Sequence, residues 1–325
     1  MAPTKDDIRW MGAALTLAER GIGLASPNPS VGCIIVNDGK VVGRGWTQAG
    51  GRPHAEAMAL AEAGDAASGA TAYVTLEPCA HQSPRGPACA DSLITAGVAR
   101  VVAAMTDPDP RTSGQGFAKL RSAGIAVTDN VRRDDAAFGL APFLTRQRLG
   151  RPMVTIKIAT SLDGKIAMPD GSSRWITGDR ARAHAHIERA RHDAILVGRG
   201  TYDADSPRLD VRLAGLEARS PRKLLLSRDK APEGWTQLAA PEDIASLDGI
   251  QSILVEGGPA VWSSFLKAGL ADRLLLYRAP IMIGEGRDAL GDIGLGNLDD
   301  AHGRWRLHDM RMLGKDRMEL YEAVR

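Results

Sequence analysis

Three chemically unusual residues, far apart in sequence, constrain this chain more than anything else in it. His54-Ala-Glu56 is followed by Pro78-Cys79 and then, across a loop, by Cys89. A borderline-soft ion such as zinc takes imidazole nitrogen and thiolate sulfur in a tetrahedron, and a catalytic site keeps one position for water. One histidine and two cysteines fill three positions and leave the fourth open. A fold that uses them must bring three separate elements to one point. Glu56 is not needed as a ligand. A carboxylate there can take a proton from water and pass it to a leaving nitrogen.

Blander readings compete with this one. His-x-Glu alone is common, and two cysteines also suit buried thiols or a closed structural zinc site. A closed site wants a fourth ligand. The remaining cysteine, Cys33, sits in the apolar run 31–36 and reads as core, which leaves His81 as the one nearby candidate. The order of the fragments favours the open site, since H-x-E followed by P-C is the pattern of zinc-dependent nucleobase deaminases.

The elements between the fragments can be read directly. Residues 14–20 read as the end of an amphipathic helix closed by Gly21. Runs 30–36 and 41–45 flank Asn37-Asp38-Gly39-Lys40, a β-hairpin signal. Pro53 precedes an alanine-rich helix over 54–63, whose first turn carries His54 and Glu56. A strand over 72–76 delivers Glu77-Pro78-Cys79. A helix over 89–96 and a strand over 101–105 follow, which makes an α/β layer with ligands at element ends.

At 325 residues the chain is about twice a typical domain. The basic, Gly- and Pro-containing segment 145–152 reads as a linker between domains at 1–147 and 151–325. Beyond it, strands are expected over 153–159, 194–197, 224–227, 252–255 and 273–278, and helices over 179–191 and 260–268. This alternation predicts a mostly parallel sheet. No Gly-x-Gly-x-x-Gly follows a strand here. Val255-Glu256-Gly257-Gly258-Pro259 instead leads from strand to helix, and such a turn offers free backbone N–H groups and a positive dipole end to a phosphate. A plain strand-to-helix connection is the alternative.

Taken together, Asn28-Pro29-Ser30-Val31-Gly32, His54-Ala55-Glu56, Thr75-Leu76-Glu77-Pro78-Cys79-Ala80-His81 and Pro87-Ala88-Cys89 resemble the deaminase half of the bifunctional RibD family of riboflavin biosynthesis. The second half carries Lys157 to Lys165, Ser173-Arg174-Trp175, Gly198 to Leu209 and Val255 to Pro259 in order, and resembles the reductase half of the same family. The resemblance implies a cytidine-deaminase-like domain followed by a dihydrofolate-reductase-like domain. It also implies zinc and NADPH as cofactors, and a diaminopyrimidinone carrying a phosphoribosylamino group as substrate. By the same resemblance His54, Cys79 and Cys89 hold zinc, Glu56 is catalytic and Asn28 binds substrate. Ala159, Trp175, Thr201, Asp205, Ser227, Gly258 and Pro259 contact NADPH, and Ser173, Arg189, Leu209, Arg212 and Glu256 face the substrate. The chain departs from the family at Ser83-Pro84-Arg85-Gly86, where Gly-Arg-Thr-Pro is more usual, and at Leu226, where members often carry Asp.

Several of these residues have a second reading. Asn28 offers a donor and an acceptor to a pyrimidine edge, or is a turn residue before Pro29. Arg189 and Arg212 offer guanidinium forks that match a phosphate. Arg189 also shares a helix with Arg180, Arg182 and Arg191, as on a solvated face. Asp205 orients or protonates the sugar, or serves a turn before Ser206-Pro207. His81 contacts substrate phosphate or stays beside the metal, and Glu77 reads as a supporting residue.

Composition bounds the alternatives. Lys+Arg 41 against Asp+Glu 39 gives a net charge of only +2, and aromatics make up 4%. A nucleic-acid deaminase would want a basic, aromatic-lined channel, so it ranks below a small-molecule enzyme. A zinc-stabilised scaffold has no need of Glu56. A chain with only one active half stays open. No apolar run is long enough for a membrane span, the N-terminus has no apolar signal core, and few cysteines mean no disulfide framework. The expectation is a cytoplasmic homo-oligomer.

Overall fold

The computed structural model describes residues 2–325, and the chain divides into two compact units after Gly150. The first unit opens with α1 (Lys5–Ala18), capped by Thr4: its hydroxyl accepts from the Asp7 N–H, and the Asp7 carboxylate accepts from the Thr4 N–H. This capping box is visible as Thr-x-x-Asp, yet only the end of the helix was expected. Next come β1 (Gly32–Asn37) and β2 (Lys40–Trp46), joined at Asp38-Gly39 with φ positive at both residues, as tight hairpin turns require. Then follow α2 (Ala55–Ala63), β3 (Thr71–Val74), α3 (Cys89–Thr95), β4 (Arg100–Ala103), α4 (Gln115–Ser122), β5 (Ala126–Thr128), α5 (Arg133–Gly139) and α6 (Ala141–Leu149).

The sheet order is β2-β1-β3-β4-β5. β1 pairs antiparallel with both neighbours, whereas β3, β4 and β5 run parallel. Met11, Ile35, Leu93 and Leu120 are fully buried between helices and sheet. The supposed linker is a correction: α6 continues to Leu149 and stops at Gly150 with φ 67, so 145–149 are helical. Basic residues in the last turn of a helix suit its dipole, and that signal was mistaken for a linker.

The second unit contains β6 (Met153–Thr160), β7 (Lys165–Ala167), α7 (Asp179–Ala190), β8 (Ala194–Gly198), α8 (Arg199–Asp205), β9 (Arg222–Leu226), β10 (Thr236–Leu238), β11 (Ser252–Val255), α9 (Pro259–Lys267), β12 (Arg273–Arg278), β13 (Arg287–Asp288), β14 (Trp305–Leu313) and β15 (Asp316–Ala323). The main sheet runs β10-β9-β8-β11-β6-β12-β15-β14. It is parallel from β10 to β12, and an antiparallel β15–β14 ribbon closes one edge. Side chains alternate between two cores: Leu196, Leu224 and Ile253 join one, Ile195, Leu225 and Leu254 the other. Burial on both faces explains why these strands read as continuous apolar runs. Ser227, expected inside a strand, lies just beyond β9.

A close approach fixes α2 against β2. A Cβ at Gly45 would lie 2.0 Å from the Ala55 carbonyl oxygen, so only glycine lets the first turn of α2 sit there. Gly45→Ala should therefore lower the stability of the first unit by about 1–3 kcal/mol, as overpacking does. It should also lower zinc retention, because His54 and Glu56 ride on that turn. Thermal unfolding and zinc content are the measurements, and wild-type values for both would contradict this packing.

Candidate functional site

In the first unit, three element ends meet. His54 is the N-cap of α2, Cys79 follows β3, and Cys89 is the first residue of α3. His54 Nδ1 lies 3.2 Å from Cys89 Sγ and 3.7 Å from Cys79 Sγ, and the three ligand atoms all fall within 4.8 Å of one another. Tetrahedral edges built on bonds of about 2.0–2.3 Å span roughly 3.4–3.8 Å, so this N,S,S set fits one zinc ion. The Cys89 backbone N–H donates to Cys79 Sγ over 3.3 Å, fixing one sulfur from the helix that carries the other. Cys33 is buried in the core, as expected.

The electrostatics suit a cation. Cys79 is drawn down to about 4, first by its hydrogen bond with Cys89, while burial opposes and His54 assists; Cys89 moves the opposite way. The pair thus shares one proton, and coordination to a metal deprotonates such thiols outright. Glu56 stands in the first turn of α2, 4% exposed. Burial pushes its carboxyl up, with His54 opposing. On the other side of the imidazole, the Asn28 amide nitrogen lies 3.2 Å from both His54 Nε2 and the Gly51 carbonyl. With Nδ1 facing the sulfurs, that amide is the group that lies against the outer ring nitrogen. His81 Nδ1 is 3.2 Å from Thr112 Oγ1. Asp107, on the same segment as Thr112, is pushed up to about 6, chiefly by burial.

In the second unit the expected residues gather at the carboxyl ends of adjacent parallel strands, where α/β sheets bind ligands. Ala159 is near the end of β6, Thr201 and Asp205 lie on α8 after β8, Ser227 follows β9, and Glu256, Gly258 and Pro259 follow β11. A Cβ at Gly258 would come 3.7 Å from Thr201 Oγ1, so these two positions adjoin. Trp175 is 67% exposed, with the Arg182 guanidinium 4.6 Å from its ring centre. Ser173 is exposed nearby in sequence, and Arg174 reaches Asp205 over 3.1 Å. Ser227 Oγ accepts from the Asp229 N–H and from Arg199 Nε.

Three placements revise the sequence reading. Arg189 is neither on a solvated face nor free for phosphate: Nε and a terminal nitrogen clamp Glu256 at 2.7 and 2.8 Å, and the other nitrogen donates to the Asp210 carbonyl. Leu209 has φ 53 and buries its side chain with Ile195 and Val197, leaving only its backbone to a ligand. Arg212 does project outward, 57% exposed, 3.5 Å from Asp210. Two residues without an assigned role also emerge. Lys157 Nζ is 3.7 Å from Glu256, and Asp163 accepts from the Ile283 and Gly284 N–H groups. Both lie in a stretch already singled out, but their partners are more than ninety positions on in sequence (roughly), beyond any local spacing rule.

Two halves of different build thus stand in one chain: an α/β layer with a His/Cys/Cys set, and a mostly parallel sheet with polar groups at its strand ends. Comparison with known proteins agrees. Residues 4–105 match the cytidine and deoxycytidylate deaminase zinc-binding region, and residues 152–318 match the RibD C-terminal domain. The riboflavin biosynthesis protein RibD of Escherichia coli K12 is 38% identical, over 95% of this chain and 97% of that protein. The structure of Acinetobacter baumannii RibD superposes with a TM-score of 0.89 at 35% identity, covering 99% of both chains. A deaminase/reductase of this kind from Thermotoga maritima gives 0.88 at 31%, covering 98% of this chain and 99% of the other. The chain belongs to the RibD family, the bifunctional deaminase–reductases of riboflavin biosynthesis, whose cofactors are zinc and NADPH. Among the described residues no helix is long and apolar enough to cross a membrane.

Two outcomes follow from this geometry. Replacing Cys79 or Cys89 with Ser should strip zinc, because a hydroxyl is a poor substitute for a soft thiolate; undiminished stoichiometric zinc in the double variant would remove these ligands. Glu256 is held at about 2: burial raises it, but Lys157 and Arg189 outweigh burial. A depressed carboxyl contributes stability that is full above its ordinary value and lost as pH falls through the folded one. The loss should run from about pH 4.5 down to about 2. Glu256→Gln, which strands Arg189, should cost about 3 kcal/mol near neutrality and progressively less across that window. Denaturant unfolding at several pH values checks it, and a pH-independent difference would refute the assignment.

Proposed function

We propose that this chain deaminates 2,5-diamino-6-(5-phosphoribosylamino)pyrimidin-4-one hydrolytically and then reduces the ribosyl group of the product to ribityl. The observation that carries the reading is the convergence of His54, Cys79 and Cys89 with buried Glu56 beside them. The similar Thermotoga maritima protein is a diaminohydroxyphosphoribosylaminopyrimidine deaminase and 5-amino-6-(5-phosphoribosylamino)uracil reductase. We assign the deaminase to residues 1–147 and the reductase to 151–325.

In the deaminase, His54, Cys79 and Cys89 hold zinc, which when bound supplies a Lewis acid that lowers the pKa of water toward neutrality. Glu56 takes a proton from the attacking water and returns it to the leaving ammonia. Its burial excludes competing solvent protons. Asn28 reads the pyrimidine edge and steadies His54, and His81 meets the substrate beside the metal.

In the reductase, NADPH when bound supplies the hydride. Ala159, Trp175, Thr201, Asp205, Ser227, Gly258 and Pro259 form its cleft. The exposed Trp175 ring offers a stacking face, and Gly258 at the start of α9 lets a phosphate approach the backbone. Ser173, Arg212 and the Leu209 backbone face the substrate, with the exposed Arg212 guanidinium offered to its phosphate. Glu256 faces it too, held in place by Arg189. We further read the chain as a cytoplasmic homo-oligomer. Free thiols at a metal site suit a reducing compartment, and edge strand β14 exposes Leu307, Met310 and Met312.

The test is one coupled assay on the purified chain with the diaminopyrimidinone phosphate, following ammonia release and NADPH oxidation separately. Glu56→Gln should keep zinc and fold but lose at least about 10²-fold in deamination, the usual share of a general acid–base. It should still oxidise NADPH when given the deaminated substrate. Normal ammonia release by this variant would take Glu56 out of the mechanism.

A further inference from the structure

Glu77 lies two residues before Cys79 and is 3% exposed. Its carboxylate is spent on backbone N–H groups: Oε2 accepts from Asp107 at 3.2 Å and Gly114 at 3.0 Å, and Oε1 accepts from Phe117 at 3.2 Å. All three donors belong to one segment, 107–117, which leaves β4 and enters α4. Gly114 caps α4 but has no side chain to satisfy the free N–H groups, so Glu77 caps the helix from outside. The contact is close. A Cβ at Gly116 would lie 2.0 Å from the Pro78 carbonyl oxygen and 3.1 Å from Glu77 Oε1.

The same segment, and the helix α4 that it enters, are tied to the metal site at two further points. Thr112, fully buried, holds His81 through its hydroxyl at 3.2 Å. Lys119 of α4, just beyond the segment, pairs with Asp91 of α3, the helix that begins at Cys89, at 2.5 Å. Segment 107–117 is therefore braced against the stretch that carries Cys79, and α4 against the helix that begins at Cys89. Burying a carboxylate is costly unless it is fully hydrogen-bonded, so a site that needed only volume here would take an apolar side chain.

We propose that Glu77 is a positioning residue of the deaminase: by fixing segment 107–117 it sets Thr112, and through Thr112 the orientation of His81 at the substrate. This rests on the deaminase reading above, with His81 meeting the substrate. Glu77 does not touch zinc or substrate. Its loss therefore weakens binding that substrate and transition state share, which raises KM while leaving kcat nearly unchanged.

The experiment compares Glu77→Gln, Thr112→Val and the double variant in the full chain. It measures zinc per chain, NADPH oxidation with deaminated substrate, and KM and kcat for ammonia release. Each single variant should raise KM about tenfold with kcat within about threefold and zinc stoichiometric. The double should be no worse than the worse single, because both act on one path; two merely structural lesions would multiply. Wild-type KM in Glu77→Gln, loss of its zinc, or multiplying effects would each overturn the proposal. If Glu77→Gln fails to fold, Thr112→Val decides alone, and a wild-type KM there overturns it. Wild-type ammonia release is the control: without it both readings fall, and with it only the brace is in question.

Discussion

Everything in the first unit answers to one requirement, that an imidazole and two sulfurs be held within a few ångströms of one another by parts of the chain that are not neighbours. Two ligands sit at helix starts, His54 as the N-cap of α2 and Cys89 as the first residue of α3, and Cys79 lies in the segment that follows β3. The Cys89 N–H bonding Cys79 Sγ and the Gly45 contact against Ala55 are consequences of that requirement. Metal binding couples to folding, so a layer that already holds its ligands near their places leaves less ordering to offset the binding energy. The sheet achieves this by inserting β1 and β2 as an antiparallel hairpin beside the parallel β3, β4 and β5, so that α2 and α3 start beside one another.

How legible this was depended on residue chemistry. His-x-Glu alone is common, and it was the order of His54-Ala-Glu56, Pro78-Cys79 and Cys89 that pointed to a metal set. The hairpin was readable from Asp38-Gly39 because that dipeptide suits positive φ. Residues 106–145 were not readable, for physical reasons. β5 is three residues long, α4 is capped by a glutamate far away in sequence, and the N-cap of α5 is Arg132 with φ 57, which makes no side-chain cap. The helix continuing through 145–149 was hidden because basic residues suit a linker and a helix C-terminus alike.

The reductase half was less legible for a different reason. A dinucleotide is long, and its cleft takes one contact from each of many elements, with no local spacing linking Ala159 to Ser227. The resemblance carried those positions. Side-chain roles still had to come from the structure: Arg189 looked like a phosphate reader until its fork was found closed on Glu256. A buried carboxylate held at about 2 by Lys157 and Arg189 is a fixed negative charge at the carboxyl end of β11. Arg189 has its fork closed on that charge, whereas the Arg212 side chain stays exposed.

One rule of construction thus serves two chemistries. In both units many of the polar groups lie beyond the carboxyl ends of parallel strands, where the chain turns outward and the next helix begins, although His54 and Glu56 follow the antiparallel β2. After β3 and β4 this position yields Cys79 and the 107–117 segment; after β8, β9 and β11 it yields Thr201, Ser227 and Gly258. What differs is how the turns are stiffened. The metal half uses buried side chains, such as Glu77 on three N–H groups, because a tetrahedral ion tolerates little displacement. The second unit instead leaves Trp175 exposed and places Gly258, with no side chain, at the start of α9, so its strand ends stay open where those of the first unit are filled.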